Sequence, residues 1–215
     1  RTYIEKALFQ IDNKFLNEPV LGVISEENKL KLITEKRIEY FDYCLICSHP
    51  PQTLEMFKNA DYLTKNLLSK FKYQKNKAVL HFDESVLPRE KIAWAAWNYL
   101  STETTTGNDT VSVSYLINKL QPLPVNKAVI VTLNPAIKID KNKVVKEINY
   151  EHPLFSKEAI MAQQTMDSIQ GREGVYFSGA WLRYGFHEDG ILSSKSVINK
   201  LLEDDGKNEQ LLRIL

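Results

Sequence analysis

The residues best suited to chemistry lie together near one end of the chain, in Gly174-Val-Tyr-Phe-Ser-Gly-Ala-Trp-Leu-Arg-Tyr-Gly-Phe-His-Glu-Asp-Gly190 and the run on to Lys200. An apolar strand is expected to end in Ser178-Gly179-Ala180, small residues that let another group approach the backbone closely. An aromatic and polar loop follows, Trp181 to Asp189, and Gly190 is expected to open an amphipathic helix. N–H groups at a helix N-terminus carry partial positive charge and hold electron-rich groups, so this pattern suits a ligand site. A tightly packed, glycine-rich connection accounts for the same residues, with Glu188 and Asp189 as plain capping carboxylates. His187 either exchanges a proton with a substrate or simply hydrogen-bonds the loop.

Other chemistries find less support. His49, His81 and His152 are scattered without a spacing that suits metal ligation, so no metal site is expected. No Ser-His-Asp or nucleophilic-Cys arrangement can be built. Cys44 and Cys47 are spaced C-x-x-C, but Tyr43-Cys-Leu-Ile-Cys-Ser48 reads as a strand, on which residues three apart point to opposite faces. Buried structural thiols are expected. The run Lys70 to Lys77 reads as a solvated face.

The chain has 215 residues, 43% apolar and 26% charged, with 28 basic and 27 acidic side chains. A net charge of +1 gives no electrostatic support for nucleic-acid or anionic-membrane binding. No apolar run is long enough to span a bilayer, and a cytoplasmic location is expected. There are only 8 glycines, where average usage would give roughly 15. Five of them fall between Gly171 and Gly190, and none is spaced G-x-G, so neither a dinucleotide fingerprint nor a P-loop can be written onto the sequence.

Around the candidate segment, periodicity predicts an α+β protein with a sizeable mixed or antiparallel sheet. Thr2-Tyr-Ile-Glu5 is a capping box for a helix to about Ile11. Pro19–Ile24 and Lys29–Thr34 read as a hairpin about a Glu26-Glu-Asn28 turn, and Tyr40 to Ser48 as one strand covered on both faces. Pro50-Pro51 ends it, and apolar residues from Leu54 to Phe71 then recur at helical spacing. Strands are expected at Ala78–Phe82, Ile92–Leu100, Val111–Leu116, Val125–Leu133 and Val144–Tyr150, with a polar loop from Thr102 to Asn108. Ser156 is the expected cap of a helix closed by Gly171.

Ser178 to Gly190 resembles the C-terminal flavin motif of the flavin-containing amine oxidoreductase superfamily, which includes monoamine oxidases, phytoene desaturases and protoporphyrinogen oxidases. It is most similar to the bacterial branch of predicted NAD/FAD-binding proteins, which share Gly-Phe-His-Glu-Asp-Gly. Tyr40-Phe-Asp-Tyr-Cys-Leu-Ile-Cys-Ser-His-Pro50, Asn76-Lys-Ala-Val-Leu-His-Phe-Asp83, Ala93-Trp-Ala-Ala-Trp-Asn-Tyr99, Val131-Thr-Leu-Asn-Pro135 and His152-Pro-Leu-Phe155 match that branch in the same order. The resemblance covers nearly the whole chain.

It implies an FAD-dependent, amine oxidase-like oxidoreductase acting on a small apolar or amine substrate. By that resemblance Gly179 and Ala180 pass the ribityl chain, and Trp181, Gly185, Phe186, His187, Glu188, Asp189 and Gly190 line the flavin. The helix-start N–H groups would then face the pyrimidine edge, and Val20 would meet the adenine. Lys77 aligns with the lysine that holds a water near the flavin and His187 is the second catalytic candidate; a surface lysine is the plainer reading of Lys77. Trp97 and Tyr99 share a strand face and form either an aromatic substrate wall or core. The implied division is a partial FAD-binding segment at 1–50, a substrate-binding segment at 51–170 and a Rossmann-like C-terminal FAD-binding strand-loop-helix at 171–215. The phosphate-binding turn of the family would lie upstream of Arg1, so the chain is expected to be the C-terminal half to two-thirds of a longer protein and to bind FAD poorly alone. The rival expectation is a binding or structural module that kept the architecture without the cofactor.

Overall fold

Helix and strand runs fall into two compact units, one made of Arg1–Lys72 with Pro153–Leu215 and the other of Tyr73–His152. The computed structural model describes residues 2–27, 29–102 and 110–206. The Thr2 capping side chain, Asn28 of the hairpin turn and residues 103–108 of the expected polar loop lie outside the described residues. The two units cut across the three expected segments, because residues 51–72 and 153–170 pack with the first unit.

The first unit begins with α1 (Thr2–Phe9) and a meander of β1 (Val20–Glu26), β2 (Lys29–Thr34) and β3 (Ile38–Phe41), antiparallel in that order. β4 (Cys44–Ile46) follows, then α2 (Pro50–Met56) and α3 (Tyr62–Leu68). Prolines opening α2 cost nothing, since the first N–H groups of a helix have no internal acceptor. Asp61 caps α3 by accepting from the Thr64 N–H at 2.7 Å.

The second unit is a five-stranded sheet. It comprises β5 (Lys72–His81), β6 (Trp97–Thr102), β7 (Thr110–Leu116), β8 (Ile130–Leu133) and β9 (Val144–Leu154), with short α4 (Ile117–Leu120) between β7 and β8. Its order is β6-β7-β8-β5-β9, and Val79, Leu116 and Ile130 of one face form a core with Val86, Leu87 and Ile139. The chain then returns to the first unit as α5 (Lys157–Thr165), β10 (Val175–Phe177) and α6 (His187–Asp204). Ser156 caps α5, as expected, through the Ala159 N–H. β10 pairs in parallel with β4. The architecture is α+β with antiparallel sheets and one parallel pair.

Five expectations change. Tyr40 to Ser48 is two strands, not one: the chain breaks at Asp42-Tyr43, β3 pairing with β2 and β4 with β10. A dense apolar run signals burial and carries no information about which partner covers it. The Ile92–Leu100 strand starts only at Trp97, because Lys91–Ala93 is a 3-10 turn and the Asn98 amide bonds both N–H and C=O of Ala95. The Val125–Leu133 strand shrinks to β8, since Asn118 draws off the Val125 and Lys127 carbonyls and the Val129 N–H. Gly190 does not open the last helix, which starts at His187. The cysteines are free, and Cys47 is exposed where a buried thiol was expected.

Candidate functional site

β10 is buried at all three residues, as a strand covered on both faces must be. The Ser178 N–H continues its ladder to the Ile46 carbonyl at 3.1 Å. From there the chain leaves the sheet through Gly179, a 3-10 turn over Ala180–Leu182, and Gly185 to the start of α6.

Four side-chain clamps fix this path. The Ser193 hydroxyl accepts from the Gly179 N–H at 3.0 Å and lies 3.0 Å from Ser178 Oγ. Gln163 Nε2 donates to the carbonyls of Trp181 at 2.8 Å and Arg183 at 2.7 Å. The Gln170 carboxamide pairs with both backbone groups of Phe177. Asp189, buried in the first turn of α6, accepts from the Tyr184 and Phe186 N–H groups at 3.2 and 3.0 Å and pairs with Arg183 at 3.4 Å. The capping role expected for Asp189 as the plainer reading is therefore realised.

Packing completes the turn. Trp181 is buried against Phe71 edge to face, ring centroids 4.7 Å apart, and its Nε1 has no hydrogen-bond partner among the described residues. A Cβ on Gly179 would fall 2.4 Å from that nitrogen, so only glycine lets the indole close over the turn. Ala180 lies against Gly190, and Gly185 over the Phe155 ring. Phe186, the N-cap of α6, offers no side-chain acceptor, and the N–H groups of His187 and Glu188 have none among the described residues. Both of these side chains, and Phe186, are exposed.

Gly179, Ala180, Trp181, Gly185, Phe186, His187, Glu188, Asp189 and Gly190 are thus one loop and helix start. Val20 lies elsewhere in the same unit, in the wall of a cavity of about 670 Å³ lined also by Leu21, Cys44, Leu45, Cys47 and Ser48. Burial, with a smaller push from Cys47, raises the Cys44 thiol to about 11, so neither redox nor nucleophilic chemistry is favoured there.

Lys77, Trp97 and Tyr99 belong to the second unit. Lys77 is half exposed and pairs with Glu147 at 2.9 Å. Trp97 and Tyr99 are 59% and 70% exposed, so neither is core; Trp97 meets Tyr115 of the next strand edge to face at 5.3 Å. Strand alternation and register put Trp97, Tyr99 and Tyr115 on the face that carries Leu80, while Lys77 is on the other. The structure therefore joins the two aromatics and leaves Lys77 apart from them.

Gln163, Gln170 and Tyr115 were not singled out by sequence. A glutamine in a helical pattern reads as facing solvent, and no local pattern announces that its amide will meet a backbone segment up to 20 residues away. Tyr115 had a usable signal, its alternation within Val111 to Leu116.

No known family pattern matches the chain, and no curated protein matches it. Solved structures do. A protein described as a candidate protoporphyrinogen oxidase from Exiguobacterium sp. 255-15 matches over 94% of this chain and 51% of its own, with a TM-score of 0.65 at 13% identity. A redesigned putrescine oxidase matches over 92% and 51%, with a TM-score of 0.58 at 9% identity. A fatty acid isomerase from P. acnes, which produces CLA, matches over 86% and 47%, with a TM-score of 0.57 at 14% identity. The chain shares its fold with these enzymes and spans about half their length.

Proposed function

We propose that this chain is the substrate-side part and the C-terminal flavin segment of an FAD-dependent, amine oxidase-like oxidoreductase. The observation that carries the reading is the start of α6, where the His187 and Glu188 N–H groups have no acceptor among the described residues, beside the Gly179–Ala180 turn. Donors held this way favour an electron-rich edge, which is what a flavin pyrimidine offers. Similarity of fold to a putrescine oxidase, a candidate protoporphyrinogen oxidase and a fatty acid isomerase supports it.

The residues present fit the cofactor. The Trp181 indole covers the Cβ-free side of Gly179, with no partner for its N–H among the described residues, and the exposed start of α6 is the part of this turn that offers N–H groups to a ligand. Gly179, Ala180 and Trp181 would hold the ribityl portion, and Gly185, Phe186, His187, Glu188, Asp189 and Gly190 the ring. Val20, in its cavity with Ser48 and Cys47, would meet the adenine. When bound, FAD supplies the two-electron acceptor for a substrate C–H bond. The protein's part is orientation and proton handling. Asp189 neutralises itself on Arg183 and two N–H groups, so its charge does not oppose an anionic ring. His187, exposed at the helix start, would be the group that carries a proton. Trp97 and Tyr99, with Tyr115, offer an aromatic wall to a small apolar or amine substrate, and Lys77 is the second catalytic candidate on the strength of its family position.

The rival reading is a module that kept the fold without the cofactor; the clamping of the loop by Ser193, Gln163, Gln170 and Asp189 favours it. A visible absorption spectrum of the protein made from the uninterrupted reading frame separates the two. Flavin bands, present as isolated or after adding FAD, are expected. Their absence in both cases would overturn the enzyme reading.

A further inference from the structure

His81 of β5 is completely buried, and both its ring nitrogens are engaged. Nδ1 faces the Asp83 N–H at 3.0 Å, and Nε2 lies 2.8 Å from the Thr132 hydroxyl, itself 2.9 Å from that of Ser114. A backbone N–H can only donate, so Nδ1 accepts and the single ring proton sits on Nε2, donated to Thr132. A second ring proton would set N–H against N–H at Asp83.

The surroundings do not welcome that proton. Burial lowers the His81 pKa from its ordinary value, and the Asp83 carboxylate only partly offsets this. That carboxylate is turned elsewhere: it accepts from the Ser85 and Asp140 N–H groups at 3.2 and 2.8 Å and from the Lys143 ammonium at 3.2 Å. Among the described residues, the Thr132 hydroxyl of β8 and behind it the Ser114 hydroxyl of β7 face the ring. The groups facing this corner of the sheet are therefore His81, Asp83, Lys143 and Asp140, and the Asp83 turn joins residues 83–86 to residues 140–143.

We propose that His81 is an acid-sensitive latch, whose protonation breaks its bond to Asp83 and frees the turn that ties residues 140–143 to the sheet. A histidine held neutral in the fold binds its proton more readily when unfolded. The latch is thus fully closed above the ordinary histidine value of about 6.5 and loosens as pH falls below it.

Amide hydrogen exchange tests this on the whole chain. Between pH of about 7.5 and about 5.5, with intrinsic rates corrected, exchange at residues 83–86 and 140–143 should rise several-fold, up to the limit of about tenfold that one histidine sets. His81→Asn keeps an acceptor for the Asp83 N–H and cannot be protonated, so its rise should vanish. His152→Gln, at an exposed histidine, should behave as the parent. No rise in the parent, or an equal rise in His81→Asn, would overturn the latch. Should His81→Asn fail to fold, the His81 ring C–H titration in the parent decides by NMR: a midpoint below about 6.5 supports the latch and one at or above it overturns it.

Discussion

Gln170 holds Phe177 as a neighbouring strand would: its Nε2 donates to the Phe177 carbonyl and its Oε1 accepts the Phe177 N–H, each at 2.8 Å. One residue on, the Gly171 N–H takes the Val175 carbonyl at 3.0 Å. The outer edge of a fully buried, three-residue strand is in this way closed by the chain itself, which removes an otherwise open template for pairing.

Replacing that amide should therefore cost more than a surface substitution. Gln170→Leu leaves the buried Phe177 N–H and C=O unpartnered, at about 1–3 kcal/mol for each group. A urea midpoint lowered accordingly, with an unchanged slope, is the expected result. Gln170→Glu should be as damaging at neutral pH, since a carboxylate oxygen would face the carbonyl. It should recover in part on acidification, when a protonated carboxyl can donate again.

Gly174 and Gly206 separate two costs of adding a side chain. Both have positive φ, +74° and +67°. A Cβ at Gly174 would also fall 2.8 Å from the Asp42 carbonyl oxygen, a backbone atom that cannot swing away, whereas at Gly206 nothing among the described residues lies within 4 Å. Gly206→Ala should cost about 1 kcal/mol from the left-handed conformation alone. Gly174→Ala should cost clearly more, read as a larger drop in thermal midpoint. Equal drops would mean that the β3–β4 break is softer than this packing implies.

Asp83 sets a second, lower pH window. Burial alone would raise its pKa, but the Asp140 and Ser85 N–H groups and the Lys143 ammonium prevail and bring it to about 2. A carboxyl depressed in the fold stabilises above its unfolded value and loses that contribution as pH falls through the folded one. Stability should fall between pH of about 4 and about 2 by roughly 2 kcal/mol from this group. Asp83→Asn should be less stable at neutral pH and lose less over that range, as followed by thermal melts.

Much of the site was legible because its signals are local. Five glycines in twenty residues and the Ser178–Gly190 run mark the loop, and Ser156 announces the start of α5. What stayed hidden depends on distant partners. Asp42 parts β3 from β4 because the two strands answer to different neighbours. Gln163 and Gln170 act on backbone groups that no helical period can point to. His81 lies in a sequence that reads only as strand; it shares the face of Val79, Leu116 and Ile130, against which the distant Val86, Leu87 and Ile139 pack. Lys77 resembled a catalytic lysine in position, and its partner, Glu147, is visible only once β9 pairs beside β5.

The central claim is that FAD meets the turn after β10 and the start of α6. The most direct measurement is amide hydrogen exchange on the protein from the uninterrupted reading frame, with and without FAD. The account predicts slowed exchange at residues 179–190, most at His187 and Glu188, together with slowing around Val20. Binding of FAD that leaves residues 179–190 unchanged, or no binding at all, would contradict it.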